Sequence, residues 1–321
     1  MTMLPRSIII GTAGFVVVAA AAPALPSWLV SLTTLAFANG LVVVGLIVLW
    51  RAGLIPFGQA LFYAIGAYAV ALIARYGGVH DVFVLIAAAA ALSAITAFLT
   101  GFLLARYREI FFAMLSLAMS MILYGVLVKT ETLGSTDGFH VEAPTYFGYA
   151  PKGAMHLLVL FWTLLAVSAV CTLMAFLYLR SVAGALAVPL RDSEIRLEFL
   201  GVSVNRLIHL KLVIAGTLAG IGGAFAAFSI EHVDPNMAYW TTSGGFVFVT
   251  ILAGAGSIAA AFIGSFVFEL LKSIAYDILP GTWQIFLGAA LLITILFLPD
   301  GLGSLFARLR QLKPKPMSAP S

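Results

Sequence analysis

Long apolar runs, separated by short polar or Gly- and Pro-bearing breaks, recur along nearly the whole chain. Ten stand near residues 7–25, 28–49, 54–75, 82–105, 110–129, 155–179, 207–229, 240–253, 258–276 and 283–299. Most reach the length of about 18 or more residues at which an α-helix crosses a hydrocarbon core about 30 Å thick. Barrel strands would be shorter and would alternate in polarity. Lipid offers no hydrogen-bond partners, so runs this continuous predict helices, which satisfy their own backbone. The pattern predicts an all-α, polytopic transmembrane helical bundle of about ten spans. The run 240–253 is short and ends in Gly254-Ala255-Gly256, which leaves tilted, re-entrant and broken geometries open.

Composition agrees with this pattern. The chain has 321 residues, 62% hydrophobic and 9% charged, against about 25% charged in a soluble domain. The single cysteine, Cys171, excludes an intrachain disulfide and a multi-cysteine metal site. The five histidines lack metal-ligand spacing, so neither metal nor cofactor is expected. No phosphate-binding G-x-x-x-x-G-K-[ST] loop is present, so the chain is not expected to hydrolyse ATP itself. The net charge of +4 gives no sign of nucleic acid.

Charge placement sets an expected orientation. With the N-terminus inside, the cytoplasmic ends hold Arg6, Arg51, Arg106, Arg108, Arg180, Arg191, Arg196, Arg206, Lys211, Arg308, Arg310, Lys313 and Lys315. The outer ends hold Asp81, Glu131, Asp137, Glu142, Glu231, Asp234 and Asp277. The excess of Lys and Arg on one side predicts N-in/C-in. Arg6 followed by an apolar run and small residues near Ala20 also resembles a signal peptide, but keeping it as a span gives an even topology. One transmembrane domain over 1–310 is expected. It carries an outer loop at 130–154 and an inner loop at 180–206, and a disordered basic tail follows at 311–321.

The inner loop, RSVAGALAVPLRDSEIRLEFLGVSVNR, has helical features. Pro189 suits a first helical position and Gly201 the residue past an end. Asp192 and Arg196 stand four apart, acid first. Leu190, Ile195, Leu197, Phe199 and Leu200 supply apolar contacts. Such a helix either lies on the headgroups or docks a cytoplasmic protein. Asp192, Glu194 and Glu198 would be repelled by anionic lipid and favour a protein groove.

Within the spans, Asn39, Gln59, Ser116, Ser120 and Thr250 either join helices by hydrogen bonds or touch a solute. Glu269 and Lys272, three apart, are expected to pair toward the outer end of their span, as a structural pair or in solute passage. Gly216, Gly220, Gly222 and Gly223 suit close helix packing or sliding. Trp28, Trp50, Trp240 and Trp283 suit interfacial anchors.

The segment RDSEIRLEFLGVSVNRLIHLKLVIAGTLAGIGGAFAA resembles that of permease subunits of branched-chain amino acid ABC transporters. GLIPFGQALFYAIGAYAVALI, FFAMLSLAMSMILYGVL with GSTDGF, LAGAGSIAAAFIGSFVFELL and WQIFLGAALLITILFLPDGL extend the likeness from about residue 40 onward, closest to the M-type subunit. The resemblance implies a type II ABC importer-like permease in a bacterial inner membrane. Its ATPase-coupling segment would comprise Pro189, Arg191, Asp192, Glu194, Arg196, Glu198 and Gly201. It also implies a second homologous permease, two ATP-binding subunits and a periplasmic solute-binding protein. Many importer permeases carry Glu-Ala-Ala where this chain has Glu194-Ile195-Arg196. Branched-chain or other amino acids are the implied solutes, with urea and short amides as alternatives. An ion-coupled secondary transporter is the rival from another class, and a membrane scaffold or sensor a third reading.

Overall fold

The computed structural model describes residues 6–254, 258–278 and 281–297. Each predicted run forms a helix: α1 (Arg6–Ala21), α2 (Ser27–Trp50), α3 (Gln59–Gly77), α4 (Val82–Leu104), α5 (Glu109–Lys129) and α6 (Ala154–Arg180). Three short helices follow, α7 (Val182–Ala185), α8 (Ala187–Asp192) and α9 (Glu194–Phe199). The chain continues through α10 (Val204–Ile230), α11 (Trp240–Ala253), α12 (Ile258–Ile278) and α13 (Trp283–Phe297). Among the described residues, seven helices are long and apolar enough to cross a membrane: α2 to α6, α10 and α12. The protein is therefore an all-α polytopic membrane protein. Ala255, Gly256 and the tail 311–321 lie outside the described residues.

The centre of the bundle is α10, which packs on α2, α3 and α4. A Cβ on Gly223 would collide with the Tyr63 carbonyl oxygen, and one on Gly66 with that of Gly220. Small residues bring these backbones into contact, so dispersion and close packing replace the hydrophobic drive that lipid cannot supply. α2 is apolar on every side and buried over nearly its whole length, as an enclosed helix should be. In α4, by contrast, Leu92, Ile95, Leu99 and Phe102 face outward, the surface that lipid solvates.

The connections gather at two ends. At one, β1 (Phe139–His140) pairs antiparallel with β2 (His232–Val233). Asp81 caps α4, accepting from the Phe83 N–H at 3.0 Å, and also accepts from the Phe147 N–H at 2.8 Å. The 130–154 loop is thereby fastened across the bundle. Burial within it pushes the Tyr146 phenol up to about 12, so that side chain stays neutral. At the other end, Ala52, Leu54, Leu104, Phe112, Ala187, Leu190, Leu197, Leu207 and Ile208 form a second apolar cluster. Residues 51–58, 105–108 and 181–203 meet there.

The run beginning at 54 does not turn helical until Gln59. Gly53 adopts φ +76° and Pro56 has no N–H to continue a helix. The Phe57 N–H instead donates to Ser116 Oγ at 3.1 Å.

Candidate coupling face and membrane interior

The continuous helix expected between Pro189 and Gly201 is interrupted. Ser193 is extended (φ −166°, ψ 106°), which separates α8 from α9. Asp192 and Arg196 therefore do not share a helix. Asp192 instead lies 3.9 Å from Arg191. Pro189 is the third residue of α8, not the first, still within the turn where a missing N–H costs nothing.

The end of α9 does follow the sequence expectation. Gly201 adopts φ +80°. The Val202 N–H donates to the Leu197 carbonyl at 3.0 Å and the Gly201 N–H to that of Glu198 at 2.9 Å. This is a Schellman cap, with Leu197 and Val202 as its apolar pair.

The segment has two faces. Leu190 and Leu197 are buried in the second cluster. Arg108 grips the segment by donating to Glu194 and, at 3.0 Å, to Asn205 Oδ1. The Arg191 side-chain stem lies against Gly53. Facing away are Ile195, Phe199 at 88% exposure and Leu200 at 77%, beside exposed Arg196 and Glu198. Of the five apolar residues noted in the sequence, two anchor the segment and three stand unpartnered.

The polar residues inside the spans bond to protein, some across to a neighbouring element and some within their own helix. Gln59 Nε2 donates to the Ala215 carbonyl at 2.8 Å, and Ser120 Oγ to that of Ala238 at 2.7 Å. Ser116 Oγ donates to the Ala113 carbonyl while accepting from Phe57. Thr250 bonds its own helix at Phe246. Asn39 Nδ2 donates to Glu269 Oε1 at 2.9 Å. Glu269 is the twelfth residue of the 21 in α12 and Asn39 sits midway along α2, so the carboxylate lies near mid-span rather than toward the outer end. Lys272 Nζ, 3.7 Å from Glu269, borders a cleft of about 830 Å³ that is also lined by Trp28, Ser31, Ser229 and Asp277.

The family model for the branched-chain amino acid transport system permease component matches residues 28–296. The chain belongs to that family. The family is one of transport permeases, not of enzymes. The permease is also similar to the high-affinity branched-chain amino acid transport system permease protein LivM of Salmonella typhimurium LT2 and to that of Escherichia coli K12. Each is 27% identical over 285 residues, covering 81% of this chain and 65% of the relative. The matched part thus spans just under two thirds of those proteins. No solved structure matches the permease.

Sequence reasoning missed two features of the permease. It counted Lys211 among charges at the cytoplasmic ends, yet the residue is 0% exposed. Its ammonium donates to Tyr178 Oη and the Ala183 carbonyl, each at 3.3 Å. It therefore ties α10 to the start of the 181–203 segment. Arg108 entered the sequence reading only as an orientation charge, but it is the main polar clasp on α9. Nothing in its local pattern points to Glu194, 86 positions away. We expect Arg108→Ala to leave the bundle intact and to loosen residues 187–200 by about 1.5–3 kcal/mol, the range for hydrogen bonds to charged groups. Amide hydrogen exchange would read this as faster exchange confined to that stretch.

Proposed function

We propose that this chain is the membrane-spanning subunit of an ATP-driven importer of branched-chain or other amino acids in a bacterial inner membrane. Membership of the permease family and likeness to the two LivM proteins support the transport class. One observation carries the coupling role: Phe199 and Leu200 stand exposed on a segment whose other face is locked into the bundle. A pushed lever needs an apolar handle outside and a rigid seat within, and α8–α9 has both. Asp192, Arg196 and Glu198 give the handle a charged surround, Arg191 and Glu194 fasten it to the seat, and Pro189 and Gly201 shape its helices.

In this reading the second-cluster end faces the cytoplasm, with ten spans and both termini inside, as the Lys and Arg distribution favours. Two ATP-binding subunits hydrolyse the nucleotide and press on the coupling segment. A second, homologous permease completes the pathway, and a binding protein delivers solute to the fastened outer loop.

The test is reconstitution of the permease with its partners in proteoliposomes. ATP-dependent uptake of radiolabelled leucine, absent without the ATP-binding subunits, is the expected result. Uptake by this chain alone, driven by an ion gradient, would replace the reading with a secondary transporter. ATP-driven uptake of urea or a short amide but not of leucine would keep the coupling role and change the solute.

A further inference from the structure

The connection from α10 to α11 does not stay at the outer surface. Val233 is held in the outer β-pair, yet only five residues later the Ala238 carbonyl accepts from Ser120 Oγ at 2.7 Å. Ser120 is the twelfth of the 21 residues of α5 and lies nine residues below the outer end at Lys129, a depth of about 14 Å at 1.5 Å per residue. Tyr239 packs on Tyr124 of α5, with ring centroids 4.8 Å apart. The first turn of α11 reaches deeper still: Ser243 Oγ accepts at 3.1 Å from the N–H of Ala60, the second residue of α3, and Phe246 meets the Tyr63 ring. A 3-10 turn, Pro235–Ala238, and the start of α11 therefore lie within the bundle at membrane depth. Trp240, expected to be an interfacial anchor, lies at that depth as well.

Non-helical backbone at such depth persists only where protein buries it or water reaches it. Here only part of it is covered by protein. Pro235, Met237, Ala238 and Ser243 are buried, whereas Asn236, Trp240 and Thr241 are exposed. Thr242 Oγ1 donates to the Asn236 carbonyl at 2.8 Å, which holds the turn against the start of the helix. An amide and a hydroxyl presented to lipid at mid-span would each be costly. By contrast, Asn39, Gln59, Ser116, Ser120 and Thr250 spend at least one hydrogen-bonding group on neighbouring helices or their own.

The geometry points to the face formed by Asn236, Trp240, Thr241 and Thr242 as the wall of a water-filled solute path through the permease. Its naming as the translocation path rests on the importer reading; its contact with water does not. Amide and hydroxyl groups beside an indole suit a small solute without net charge, including a zwitterion with an apolar side chain.

Single-cysteine variants test this in native membranes carrying the whole transporter. Cys171, buried in α6, is first replaced by Ala. Asn236→Cys and Thr241→Cys are then exposed to a charged, membrane-impermeant methanethiosulfonate, with and without vanadate-trapped ATP. Ile95→Cys, outward-facing in the middle of α4, and Phe147→Cys, in the outer loop, are the lipid and water references. We expect both test positions to react at least about tenfold faster than Ile95→Cys in one nucleotide state or the other. Rates at the Ile95→Cys level in both states, as a face sealed by lipid or by the second permease would give, would overturn the assignment. Loss of ATP-driven uptake in an unlabelled transporter would count against the importer reading and leave these rates as they are.

Discussion

Gly66→Ala and Gly223→Ala are each expected to remove most of the folded protein, while Gly125→Ala and Gly244→Ala leave its yield unchanged. Around Gly66 and Gly223 the new Cβ would strike a backbone carbonyl oxygen of the facing helix, and backbone cannot rotate aside. Relief requires the helices to part, undoing the contacts of α10 with α3 on which the centre of the bundle rests. Overpacking of a dense core costs about 1–3 kcal/mol even where side chains can adjust, so this is the lower bound. Gly125 and Gly244 have nothing within 4 Å of a Cβ. Monodisperse yield in detergent and thermal unfolding would separate the two pairs. Equal stability of all four variants would mean the helices do not approach so closely. The same contacts explain Gly216, Gly220 and Gly222, whose added Cβ atoms would meet Ala97, Ser93 and the Ala38 carbonyl.

Phe199→Asp combined with Leu200→Asp is expected to lower transport at least about tenfold and to abolish co-purification of the ATP-binding subunits. Insertion and melting of the permease should be unaffected. Both side chains are exposed in the isolated chain, so their loss leaves no cavity. In a docked complex, two charges would instead enter an apolar contact without partners. Leu197→Ala should act differently. That side chain is buried in the seat, and a buried Leu→Ala change costs about 2–5 kcal/mol, so the segment itself should loosen. Gly201→Val should weaken the end of α9 by about 1–2 kcal/mol, because a branched residue is forced into the left-handed region. Normal uptake and full ATPase retention in the double Asp variant would remove the docking role.

The spans were legible in the sequence because lipid demands long apolar helices. All ten runs correspond to helices, and the boundaries shift chiefly where a special residue intervenes, as at Gly53 and Pro56. The break at Ser193 was not legible. Pro189, Gly201 and the Asp192–Arg196 spacing all fit one helix locally, and the interruption comes with tertiary anchors, Leu190 and Leu197 on the second cluster and Glu194 on Arg108. The descent of residues 234–239 was hidden for a similar reason. Pro235 and Asn236 look like surface-loop residues until Ser120 is known to reach the Ala238 carbonyl. The Glu269–Lys272 pair, three apart, was legible, but Tyr178 on Lys211 and Asn39 on Glu269 stand 33 and 230 positions away, beyond any local spacing rule.

The enclosure of α2 bears on how the protein is made. Its main neighbour, α10, begins about 150 residues after α2 ends, a delay of roughly 8–30 s at ordinary rates of synthesis. Through that interval α2 must wait with the surface it will give to α10 bare, even after α6 has joined it. A ribosome stalled before Val204 would therefore leave a nascent chain whose most enclosed helix still lacks its main neighbour, a ready substrate for membrane quality-control proteases.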